Sequence, residues 1–297
     1  VQTCALPILL AVIGCSHSYV LDEAKQVGRT GASFPAAAED YFRDMDGGIA
    51  LTPEEVKGRN TWIVWTGGND RLWDTLSTLS FGTLDFLKIL SSHRSLNFSR
   101  DNRWYYFGLV NEPCFEKPVG PDPQRFGLWL DKRRANCAPD PFENEQNYPG
   151  VKIGARGKNL PAGSYYGYAT GIVGLRLFPN PAFDEAAAKK WDPVRYYEDP
   201  TYYNSKDLVK PYRVGMSCGF CHVGPNPTHP PSDPERPEWE HLSSNVGAQY
   251  FWLDRIFSWT ADAKSFPVQL FHTSRPGTID TSLISTDNIN NPRTMNA

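Results

Sequence analysis

Residues 216–224 read Met-Ser-Cys-Gly-Phe-Cys-His-Val-Gly. Two thiols three positions apart and an imidazole beside the second put three strong ligand or nucleophile groups on about one helical turn. A redox dithiol uses Cys-x-x-Cys, but within a βαβ context that this sequence lacks. A zinc ribbon needs a second pair of ligands, and no second Cys-x-x-Cys is present. A local disulfide between Cys218 and Cys221 is a further alternative. Cys-x-x-Cys-His, in that order, is the attachment signature of c-type haem. The two cysteines add across the haem vinyl groups as thioethers, and the histidine takes one axial position on the iron. This reading assigns Cys218 and Cys221 to covalent attachment and His222 to the proximal iron ligand. Haem c, with its iron, is the expected cofactor.

The other face of the iron decides the chemistry: a strong sixth ligand suits electron transfer, whereas an open face suits activation of peroxide or dioxygen. Met216 is only two residues before Cys218 and falls on the proximal side. His229, in Asn-Pro-Thr-His-Pro-Pro, reads as a loop residue. His241 reads as a cap or a partner of Glu240. His272, in Val-Gln-Leu-Phe-His-Thr-Ser-Arg, lies on an apolar segment and is the distal candidate, with a hydrogen-bonded core histidine as its alternative. Tyr250, Phe251 and Trp252 fit packing against a porphyrin or against plain core. Arg255 and Arg275 fit pairing with haem propionates or with surface carboxylates. No Ser-His-Asp arrangement, phosphate loop or paired-carboxylate motif stands out.

The remaining cysteines agree with export. Val12-Ile13-Gly14-Cys15, closing the run from Ala5, has the form of a lipobox, in which Cys15 becomes the lipidated first residue of a mature bacterial lipoprotein. The alternative is a short core segment with an incidental cysteine, and no basic stretch precedes the apolar run. Cys114 and Cys137 stand in Pro- and Asn-rich segments, where a cross-link constrains the chain most, and a disulfide between them is expected, with two unrelated buried thiols as the alternative. The expected location is the periplasm or cell surface, with membrane contact only through the lipid anchor.

Composition narrows the class. The chain has 297 residues, a net charge of -3 and 21% charged residues, enough for a sizeable core and without the basic stripe of a nucleic-acid binder. Its 25 prolines and 9 tryptophans imply short elements, much ordered loop and either dense aromatic packing or a wall around a flat cofactor. No run approaches the roughly 20 apolar residues of a membrane span.

The elements that would position these groups are short. Thr52, Pro53 and Glu55 form a capping box with proline at the first helical position. Trp62–Gly68 reads as a buried strand or helix end, and Asp70–Leu90 as the longest helix, on its leucine spacing. Arg103–Val110 has strand-like composition, and Glu185–Trp191 is helical. Residues 246–259 make an amphipathic helix. The expected fold class is mainly α and loop-rich, a cytochrome c-like haem domain preceded by an irregular N-terminal region with few short strands. The divisions are a signal remnant over 1–15, a tether over 16–50, a helical and irregular region over 51–205 and the haem domain over 206–297.

Val-Gly-Met-Ser-Cys-Gly-Phe-Cys-His-Val-Gly resembles the haem-binding segment of large bacterial cytochromes of the di-haem cytochrome c peroxidase superfamily, of which the rubber oxygenases are one branch. Ser-Ser-Asn-Val-Gly-Ala-Gln-Tyr-Phe-Trp-Leu-Asp-Arg-Ile-Phe stands where that pattern has a small-residue turn and an aromatic helix. The resemblance runs over 167–297. It implies an exported haem protein acting in electron transfer, or as a peroxidase- or dioxygenase-type oxidoreductase with an open iron site. A redox protein or small oxidant is the implied partner. Members carry two haems and this sequence has one Cys-x-x-Cys-His, so the resemblance also implies a second haem domain beyond residue 297.

Overall fold

The computed structural model describes residues 28–79, 84–150, 163–244, 250–252, 255, 256 and 264. Residues 28–34 belong to a small unit of their own, a single 3-10 turn at Gly31–Ser33 closed by the Ser33 hydroxyl donating to the Thr30 carbonyl at 2.7 Å. The rest forms a second unit from Pro35 onward.

In that unit the first helix, α1 (Pro53–Val64), starts where the capping signal places it. The Thr52 hydroxyl oxygen accepts from the Glu55 N–H, and the Glu55 carboxylate accepts from the Thr52 N–H at 2.8 Å. Trp62 and Ile63 are its last turn. Asn60 ties the preceding segment to it, donating from Nδ2 to the Ala37 and Glu39 carbonyls at 3.0 and 2.8 Å. Ala37, Phe42 and Met45 are buried, so the later part of the stretch read as a tether contributes to a core.

Further helices are α2 (Asp70–Leu79), α3 (Phe86–Ile89), α4 (Arg103–Phe107), α5 (Glu185–Lys190), α6 (Pro193–Glu198), α7 (Pro200–Tyr203) and α8 (Gly219–His222). Within the segment read as one helix over 70–90, a second helix starts at Phe86, with Asp85 extended and its carboxylate accepting from the Leu87 N–H. Within Arg103–Val110, which has strand-like composition, Arg103–Phe107 forms α4 instead. Glu235 supplies the reason: its carboxylate accepts from the Trp104 and Tyr105 N–H groups at 2.8 and 2.9 Å, satisfying the open donors of a helix start. Gly108, at φ 68°, ends that helix in the left-handed region.

Strands β1 (Phe115–Glu116) and β2 (Lys132–Arg133) form one antiparallel pair. Strands β3 (Tyr168–Ala169), β4 (Leu175–Pro179) and β5 (Tyr212–Met216) form a sheet in that order. The last pair is β6 (Val223–Pro225) with β7 (Leu242–Ser244). In the three-stranded sheet Leu175 faces Met216, Leu177 faces Val214 and Pro179 faces Tyr212. Leu175, Leu177, Tyr212 and Val214 join the larger core with Phe86, Leu87 and Phe107. On the opposite face of β4, Arg176 is buried and pairs with Asp140 at 2.6 Å. The pairing of β4 with β5 runs across residue 205, so one sheet joins the segments on either side of it.

The mainly α, cytochrome c-like arrangement expected from sequence is thus corrected. The described part is 33% helical and 14% strand, with three sheets. The described α-helices run to between 4 and 12 residues, too short to bury a core alone. The apolar segments 168–179 and 212–216 instead satisfy their backbone groups by pairing with each other. Among the described residues no helix is long and apolar enough to cross a membrane.

Candidate functional site

The Cys-x-x-Cys-His turn is held from three sides. Strand β5 delivers the chain to Met216, whose N–H donates to Asn69 Oδ1 at 2.9 Å and whose carbonyl accepts from Asn69 Nδ2 at 2.6 Å. Asn69 thereby imitates a neighbouring strand at the point where the sheet stops. Ser217 then makes two anchoring bonds: its N–H donates to the Gly174 carbonyl at 2.8 Å, and its hydroxyl to the Ile63 carbonyl at 2.6 Å. The turn α8 follows, with the Cys221 and His222 N–H groups both donating to the Cys218 carbonyl at 3.2 and 3.1 Å.

Two glycines make the approach possible. Gly174 sits at φ +82°, and a Cβ on it would meet the Phe220 nitrogen at 2.0 Å. A Cβ on Gly219 would lie 3.2 Å from the Ile63 Cα. The turn is wedged between the β4 entry loop and the end of α1, with Phe220 pointing into the core against Phe86 and Phe251 at ring separations of 5.5 and 6.3 Å.

Cys218 is exposed and Cys221 half-buried, and neither is in a disulfide. Their spacing of three puts them on one side of the turn. Although Cys218 reaches solvent, the protein beside it removes enough water to push its thiol above the ordinary value. That is opposite to the lowered thiol of a redox dithiol. The His222 imidazole turns inward, 4% exposed, with the Trp62 ring 5.3 Å away at a tilt of 39°. Trp62 Nε1 is itself buried and has no hydrogen-bond partner among the described residues, an uncommon state for an indole N–H.

The two thiols fit the attachment half of a covalent haem site, whereas the covered His222 ring would have to be uncovered to reach an iron. Thioether formation needs two separate thiols on one accessible side, which Cys218 and Cys221 provide. The adjacent imidazole is the nitrogen donor. A single chelated metal fits less well. Among the described residues the only convergent group of three or more His, Cys, Asp or Glu is His229, Glu240 and His241, so the Cys218, Cys221 and His222 donor atoms do not close on one point.

Beyond α8 the chain enters β6, so the motif leads from a sheet edge through one helical turn into a hairpin. Phe251 is buried in the core, while Tyr250 and Trp252 are exposed. Arg255 donates to the Tyr106 carbonyl at 2.8 Å and lies over the Trp252 ring. Of the helix read over 246–259, residues 250–252 lack regular structure and 255–256 are helical. Cys15, His272 and Arg275 lie outside the described residues.

Cys114 and Cys137 are joined by a disulfide with a Cα separation of 5.8 Å. It closes beside the β1–β2 pair, where the Arg134 N–H donates to the Cys114 carbonyl at 2.8 Å. A buried charge network lies in the same unit, built on Asp131. Asp131 Oδ2 accepts from Arg100 and Arg103 at 2.9 and 2.8 Å. Gly171 has no side chain to obstruct them, since a Cβ there would meet Asp131 Oδ2 at 2.5 Å. No local pattern announces these partners, which lie 28 and 31 positions apart from Asp131.

Comparison with known protein families, with curated proteins and with solved structures finds no match to this chain.

Proposed function

We propose that this chain is an exported c-type haem protein, with haem attached through Cys218 and Cys221, His222 as an axial iron ligand, and electron transfer as its activity. What supports this most is the turn itself: two thiols on its accessible side, outside any disulfide, with the imidazole in the same hydrogen-bonded turn. The raised Cys218 thiol weighs against a thiol–disulfide redox role, and the spread donor set weighs against zinc. When bound, the iron supplies one-electron chemistry, and its potential follows from axial ligation and burial.

The residues have separable tasks. Cys218 and Cys221 fix position. Asn69, Ser217 and Gly174 fix the turn that carries them. The core contacts of Phe220 keep that turn from rotating about its own axis. Trp62 covers the His222 ring and keeps water from it. Because His222 is covered by protein, seating a porphyrin on it requires side chains on that face, Trp62 among them, to make room.

The test is the ferric absorption spectrum of the full chain matured by export, with and without cyanide, for wild type and for His222→Ala. Electron transfer predicts a low-spin spectrum indifferent to cyanide, which His222→Ala abolishes while the covalent haem remains. A high-spin spectrum that shifts with cyanide means an open iron and an oxidant-activating enzyme instead. An unchanged spectrum in His222→Ala overturns the ligand assignment.

A further inference from the structure

The connection between β6 and β7 carries three ligand-type side chains that the haem reading leaves unused. His229, Glu240 and His241 each present a ligand atom, and these atoms lie within 4.8 Å of one another. The two imidazole rings are 5.0 Å apart at a tilt of 32°, and His241 Nε2 is 3.6 Å from Glu240 Oε1. We propose that His229, Glu240 and His241 form a binding site for one divalent cation of the zinc type, with a fourth position open to water or an outside ligand.

The backbone that carries the ligands is set without any cation. Pairing of Pro225 with Leu242 brings the two ends of the connection together, and the Asn226 N–H donates to the His241 carbonyl at 2.7 Å. Asn226 is buried, and its Oδ1 accepts from the Thr228 N–H and hydroxyl at 3.0 and 2.9 Å. The His229 N–H donates to the Asn226 carbonyl at 3.2 Å, and prolines at 227, 230 and 231 restrict the chain on both sides of His229. A cation would therefore meet a loop whose backbone is largely set, at the cost of the bond that His241 Nδ1 accepts from the Glu238 N–H.

The donor set selects the class of ion. Two imidazole nitrogens and one carboxylate suit zinc and its neighbours, whereas calcium and magnesium favour more oxygens. Bonds of about 2.0–2.1 Å in a tetrahedron place ligand atoms roughly 3.3 Å apart. The side chains must draw in by about 1.5 Å from their widest separation, which exposed rotamers allow.

His241 Nδ1 accepts from the Glu238 N–H at 3.1 Å, so the neutral ring carries its proton on Nε2, the atom beside Glu240. A cation taking Nε2 moves that proton to Nδ1. The bond from the Glu238 N–H is then lost, at a residue that is itself exposed to water.

Equilibrium dialysis of the full chain against zinc, followed by metal analysis, tests the proposal. Wild type is expected to bind one zinc per chain. His229→Ala and Glu240→Gln are each expected to weaken binding at least about 10-fold, the lower end of losses seen even for groups that only support ligands. Both substituted side chains are exposed, so the fold is retained. The double variant Cys218→Ser with Cys221→Ser is expected to bind as wild type does. Absence of binding, equal affinity in His229→Ala and Glu240→Gln, or loss confined to the cysteine variant each overturns the site.

Discussion

Glu112 makes stability depend on pH in a direction opposite to most carboxylates. Its backbone is locked, the N–H donating to the Gly171 carbonyl at 2.9 Å and the carbonyl accepting from Arg100 Nη2 at 2.7 Å. The side chain is therefore held inside, 5% exposed. Burial first, then the neighbouring Asp140, push its carboxyl from 4.5 up to about 8, against the opposing pull of Arg133 and Arg176. The folded chain keeps this proton where the unfolded chain has lost it. The stabilisation from holding it is complete below pH 4.5, shrinks between 4.5 and 8, and is gone above 8. At about 1.4 kcal/mol per pH unit the whole interval amounts to about 5 kcal/mol. Glu112→Gln has nearly the same shape and cannot ionise. Urea unfolding at about pH 5 and about pH 8.5 should show the wild type losing roughly 3–5 kcal/mol more than the variant between the two. Parallel pH dependences for the two proteins would refute the burial argument.

Replacing Cys114 and Cys137 together by Ser frees a loop with a separation of 23 residues; the expected loss is about 3 kcal/mol in urea unfolding, and an unchanged midpoint contradicts it. Gly174→Ala drives a Cβ to 2.0 Å from the Phe220 nitrogen. Relief requires moving the turn that carries the cysteines, so a loss of more than about 3 kcal/mol is expected in the same assay. A loss under about 1 kcal/mol would show that this approach is not needed.

Local chemistry was legible in the sequence; long-range pairing was not. The α1 cap, read from Thr52, Pro53 and Glu55, and the helix at Glu185–Lys190 depend on neighbours in the chain. Arg103–Phe107 is rich in aromatics that suit strands, yet a carboxylate 131 positions from Trp104 caps it as a helix. The leucine spacing over 70–90 is real but does not reveal that Asp85 starts a separate helix, because its partners, Tyr196 and Lys210, come from far along the chain. At the candidate site the motif names its own residues, while Asn69, Trp62 and Gly174 become neighbours only through the fold. Nothing in the sequence pairs His229 with His241. Their proximity follows from the β6–β7 pairing, for which the Pro-rich sequence between them gives no periodic signal.

The central claim is that Cys218 and Cys221 hold haem covalently. Intact mass together with the reduced pyridine haemochrome spectrum, taken on protein exported from a cell competent for cytochrome c maturation, tests it most directly. The account predicts a mass increased by one haem that survives denaturation, a c-type haemochrome band, and loss of stable attachment in the Cys218→Ser with Cys221→Ser variant. A chain at its unmodified mass, or lighter by the two hydrogens of a Cys218–Cys221 disulfide, with no haemochrome, would contradict it.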